Sequence, residues 1–65
     1  MKSIYQRLEL AAAGAMVLSE SEWYMIDLEM LQLPAYIKPK WHDRIKLAKI
    51  MQKEIESGRR QLTVV

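Results

Sequence analysis

With 65 residues, no cysteine and 51% apolar side chains, the chain can build one small core and has no disulfide or thiolate-bound metal to staple it. A formal net charge of +2 with 28% charged residues is the composition of a folded domain rather than a disordered tail, and the absence of cysteine fits a reducing, cytoplasmic setting. The longest apolar run, Leu10 to Leu18, contains Gly14 and falls far short of the ~20 residues a bilayer span needs, so no membrane segment is expected. The first ten residues carry charge where a secretory signal needs apolar side chains, and read as mature protein.

Ser3 and Gln6 form the first element's signature, a capping box, and Ile4, Leu8, Ala11, Ala15 and Leu18 step by four and three behind it. This spacing predicts a helix over about 3–18. Ala11, Ala12, Ala13 and Gly14 leave little bulk on any face, so a neighbouring helix can approach closely there. A phosphate-cradling loop is the other reading of Gly14, but no strand precedes it and no Lys-Ser/Thr follows.

A second capping box, Ser19 with Glu22, opens a helix predicted over about 20–33. Trp23, Ile26, Met30 and Leu33 make one apolar stripe, and Tyr24, Leu28 and Leu31 make another, with Asp27 and Glu29 between them. A helix with two apolar stripes packs inward with one and offers the other to a neighbour or partner, so Tyr24, Leu28 and Leu31 are candidate partner-binding residues. Asp27 and Glu29 are two apart on this helix and do not face each other, which argues against a catalytic carboxylate pair.

Pro34 ends the second helix, and Ala35 to Lys38 form a stiff bridge to Pro39 in which Tyr36 and Ile37 are expected to cover the core edge. The longest helix is predicted over 39–57, with Pro39 in its first turn and Gly58 just past its end. Trp41, Ile45, Ala48, Met51 and Ile55 share a face that must be buried, while His42, Lys46, Lys49 and Lys53 line up as a basic stripe. After Gly58 the strand-prone segment to Val65 has no partner strand, so 58–65 reads as a frayed, irregular tail, with addition to another chain's sheet as the alternative.

Charge divides the chain. Residues 1–33 set Lys2 and Arg7 against Glu9, Glu20, Glu22, Asp27 and Glu29, a net −3, while residues 34–65 set eight Lys and Arg against Asp43, Glu54 and Glu56, a net +5. Attraction between the halves, within one fold or across a dimer, is one reading. A basic surface for an anionic partner, built from Arg44, Lys46, Lys49, Lys53, Arg59 and Arg60, is the other. The stripe on the third helix, Lys46, Lys49 and Lys53, is Lys, whereas base readout usually needs Arg, Asn or Gln.

Catalytic chemistry finds no constellation. His42 is the only histidine, and Asp43 beside it points about 100° away around the helix, which suits neither a triad nor a metal site. No cofactor, metal or small-molecule substrate is expected, and the chain reads as no enzyme. The run Glu9-Leu10-Ala11-Ala12-Ala13-Gly14, with Trp41 opening a basic third helix, resembles the theta accessory subunit of bacterial DNA polymerase III, a small three-helix protein. The likeness covers that run and one spaced tryptophan, residues 1–8 and 20–40 depart from the family's pattern, and no site residue is carried over.

The sequence thus predicts an all-α fold in a single domain over 1–65: a helical hairpin, a longer C-terminal amphipathic helix and a short tail. The core would draw on Ile4, Leu8, Ala11, Ala15, Leu18, Trp23, Ile26, Met30, Leu33, Trp41, Ile45, Ala48, Met51 and Ile55. The expected function is that of a small adaptor or regulator that binds another protein, an acidic one or a second copy of itself as a homodimer. The alternative is a DNA- or RNA-binding regulator that uses the basic face of the third helix.

Overall fold

The computed structural model describes residues 3–63, and α1 (Ile4–Ala12), α2 (Glu20–Leu31) and α3 (Lys38–Glu56) are the helices among them, with no strand. Each starts where local chemistry satisfies its first N–H groups. The Ser3 hydroxyl accepts from the Gln6 N–H while the Gln6 side chain accepts from the Ser3 N–H, and Ser19 and Glu22 repeat the arrangement for α2. At α3 no side chain caps the start, and Pro39 sits in the first turn, where its missing N–H costs no hydrogen bond.

α1 is shorter than its apolar period predicts. It stops at Ala12, and Gly14 follows in the left-handed region at φ 78°. The Gly14 N–H donates to the Ala11 carbonyl at 3.0 Å and the Ala15 N–H to the Leu10 carbonyl at 2.9 Å, the paired bonds of a Schellman ending. Gly14 is therefore a helix terminator, and the seam read through Ala15 and Leu18 is not helical. Gly58 ends α3 in the same way at φ 80°, with the Arg59 N–H donating to the Glu54 carbonyl.

The chain beyond Gly14 is held by α3. The Leu18 N–H donates to Oε1 of Gln52 at 3.0 Å, and Nε2 of Gln52 donates back to the Leu18 carbonyl at 3.2 Å. One side-chain amide thus satisfies both backbone groups of a loop residue whose own side chain is buried. Ser19 then opens α2.

α1 packs against both other helices, more extensively against α3, and Lys49 of α3 reaches the Trp23 ring of α2. Leu8, Ala11, Ala12, Leu18, Ile26, Met30 and Ala48 form the buried core, in which the alanines of α1 and Ala48 of α3 keep the packing close. Ile4, Trp23, Leu33, Trp41 and Ile45 pack against it only partly buried, and Ala15, Met51 and Ile55 are also half-buried. Ala12, Tyr5 and Met16 join without having been expected. The Tyr5 ring lies 4.6 Å from that of Trp41 at 39°, tying α1 to the start of α3. Burial, followed by the charge of Glu29, raises the Tyr5 phenol above its usual pKa.

Two smaller expectations are corrected. Ile37 is half-buried in the bridge to α3, but Tyr36 is exposed, because Pro34 to Lys38 turns tightly on its own backbone bonds and carries that ring outward. The tail does not simply fray after Gly58. The Thr63 N–H donates to the Gly14 carbonyl at 2.8 Å and its hydroxyl to the Ala13 carbonyl at 3.5 Å, so the end of α1 is also a docking point for the C-terminal segment. Val64 and Val65, part of the same tail expectation, lie outside the described residues.

A helix interior gains about 1 kcal/mol from Gly→Ala, whereas a left-handed position loses about 1–2 kcal/mol. A Cβ at Gly14 would meet only ordinary contacts, Oγ1 of Thr63 at 3.5 Å and Sδ of Met51 at 3.9 Å, so backbone strain sets the sign. Gly14→Ala should lower the melting temperature; a rise would mean that α1 continues through residue 14.

Candidate functional site

α2 carries apolar side chains on two sides, with Asp27 and Glu29 between them. Its inner stripe of Ile26 and Met30, with half-buried Trp23, is spent on the core. Its outer side carries Tyr24, Met25, Leu28 and Leu31, which are 64, 50, 44 and 75% exposed. These four sit at i, i+1, i+4 and i+7, the spacing with which a helix presents one continuous patch. The sequence-derived residues Tyr24, Leu28 and Leu31 are therefore brought together at the surface, and Met25 is the member that reading missed. Its signal was present, since Met25 and Leu28 are three apart on the same helix.

The electrostatic frame of this patch is acidic. Glu20, Asp27 and Glu29 are exposed on α2, which has no Lys or Arg. Glu22 is different: its Oε1 accepts from the Ser19 N–H, and its Oε2 accepts from Nε of Arg7 on α1. The Arg7 guanidinium first, and then the Ser19 N–H, hold its carboxyl below the usual carboxylate range, against a smaller opposing effect of burial. Glu22 thus caps α2 and pins its start to α1, which leaves the outer face of α2 turned to solvent.

The basic candidates all lie exposed, but they do not form one uncommitted surface. Lys49 places its ammonium 5.5 Å from the Trp23 ring and so bridges α3 to α2. Nε of Arg60 donates to Oε1 of Glu54 at 2.8 Å. Arg44, Lys46, Lys53 and Arg59 make no ion pair among the described residues. The described ion pairs, Arg7–Glu22 and Glu54–Arg60, each fall within one half of the chain, so no ion pair among the described residues joins the acidic half to the basic half. Lys46 and Lys53 flank Ile50, itself 51% exposed, and Ile50 and Lys53 line a shallow depression with Glu54, Ser57 and Arg59.

His42 and Asp43 are exposed neighbours, and no group of three or more His, Cys, Asp or Glu among the described residues could hold a metal ion. No described helix is long and apolar enough to cross a membrane. No family model, curated protein or solved structure matches the chain, so the resemblance to the theta subunit rests on its quoted residues alone.

The linkage at Glu22 has a definite sign. A carboxylate whose folded pKa is depressed stabilises the fold above its unfolded pKa of about 4.3, and that contribution is lost as pH falls through the folded value. Arg7→Met removes the largest cause, so a carboxyl NMR titration should show the Glu22 midpoint moving up, and acid unfolding should begin at higher pH. An unmoved midpoint would mean that Arg7 does not reach Glu22 in solution.

Proposed function

We propose that this chain is a small protein-binding module, acting in the cytoplasm by association rather than catalysis, with the outer face of α2 as its docking surface. One observation carries the reading: Tyr24, Met25, Leu28 and Leu31 form a continuous exposed apolar patch on a helix whose other face is already used by the core. Solvated helices normally spend their outer side on charged residues, and contiguous apolar patches of this kind mark interaction sites. Tyr24 is the natural anchor, with a large ring, few rotatable bonds and a polar tip.

The exposed cations of α3 support a second reading, binding to nucleic acid through Arg44, Lys46, Lys49 and Lys53. Commitment of Lys49 to Trp23 and of Arg60 to Glu54 makes it the weaker one.

The test is capture from a native lysate before and after nuclease, using wild type, Tyr24→Asp/Leu31→Asp and Lys46→Glu/Lys49→Glu/Lys53→Glu, each first shown by thermal melt to be folded. Protein capture should survive nuclease and fall about tenfold or more in the α2 variant, since each buried anchor is worth 1 kcal/mol or more. Equal capture by that variant would refute the α2 reading. Capture abolished by nuclease and by the triple variant would establish the nucleic-acid one.

A further inference from the structure

The apolar patch of α2 is interleaved with acids at helical spacing. Glu20, Tyr24, Asp27 and Leu31 follow one another at i, i+4, i+7 and i+11, with Leu28 alongside, so any occupant meets an acid and an apolar group in alternation. The outer side of α3 carries the complementary pattern. Lys46, Ile50 and Lys53 stand at i, i+4 and i+7, all exposed, and Ile50 and Lys53 open onto the shallow depression. Within one protomer Lys49 of α3 reaches Trp23 on the inner side of α2, but Tyr24, Leu28 and Leu31 of α2 and Lys46, Ile50 and Lys53 of α3 stay exposed.

Resting on the α2 reading above, we infer that the occupant of the α2 face is α3 of a second copy of this chain, in a two-fold dimer where each protomer's α2 lies on its partner's α3. Charge selects this arrangement over α2 against α2, which would bring together two helices each bearing Glu20, Asp27 and Glu29 and no Lys or Arg. Size favours it as well. A 12-residue helix is roughly 18 Å long and 10 Å across, short of the ~800 Å² per partner of a standard interface, and the reciprocal arrangement uses two patches on every protomer. It also gives a role to the opposed charges of the chain's halves, which the described ion pairs within the protomer leave unjoined.

Sedimentation of the full chain across a range of concentrations tests this directly. Wild type should dimerise, with an affinity that falls about tenfold or more as salt rises from about 0.05 to 0.5 M and the paired stripes are screened. Glu20→Lys/Asp27→Lys alone and Lys46→Glu/Lys53→Glu alone should each be monomeric. Mixing the two should restore a dimer, because both of its α2·α3 contacts then pair opposite charges, and that rescue also shows that both variants fold. A Lys46→Glu/Lys53→Glu chain that dimerises as wild type does would overturn the inference in favour of α2 against α2. A wild type monomeric at high concentration, with capture of another protein still abolished by Tyr24→Asp/Leu31→Asp, would overturn the second-copy assignment and leave the α2 docking surface standing. A monomeric wild type whose α2 variant changes nothing would overturn both.

Discussion

The hold of Gln52 on the backbone of Leu18 is the constraint on which the rest of the arrangement depends. Gly14 ends α1 and releases a loop that has to cross the core, and a crossing loop carries peptide groups that cannot be left without hydrogen bonds. Gln52 meets the donor and the acceptor of Leu18 together, which lets the Leu18 side chain enter the core beside Leu8 and Ile26. Where Leu18 sits then decides where Ser19 can start α2. Through Glu22 and Arg7 the new helix is tied back to α1 within its first turn.

This geometry explains why α2 keeps an uncovered side. It reaches the body of the protein through its inner stripe and through Lys49 above Trp23, while the close packing runs between α1 and α3 across alanines. Among the described residues no fourth helix and no strand lies over Tyr24, Met25, Leu28 and Leu31. A small domain buries a modest share of its apolar surface in any case. Among the described residues, Tyr24, Met25, Leu28 and Leu31 are four exposed large apolar side chains that share one helix face, and the proposed docking surface rests on that grouping.

Local chemistry was legible in the sequence. Both capping boxes, the proline at the start of α3 and the glycine at its end signal themselves within three or four residues, and the structure uses each of them. The exposed stripe of Tyr24, Leu28 and Leu31 was legible too, because helical spacing alone separates it from the inner stripe. The end of α1 was misread for a physical reason: Ala15 and Leu18 continue the apolar period by coincidence, and a period cannot distinguish a helix from a loop that buries the same residues. A glycine five residues ahead of a second capping box was the available signal. Gln52 could not have been found in this way. Its partner is 34 positions distant, and a glutamine on the border of a helix's apolar face looks like any solvated residue.

Amide hydrogen exchange tests the central claim, that the loop after α1 is non-helical and held by α3 at one residue. The account predicts strong protection of the Leu18 N–H with rapid exchange at Met16 and Val17, whose amides make no hydrogen bond within the described residues. It further predicts that Gln52→Leu abolishes the Leu18 protection while amides in the middle of α1 and α3 remain protected. Continuous protection from Ala13 through Leu18, unaffected by Gln52→Leu, would contradict it, since only a helix running past Gly14 would produce that pattern.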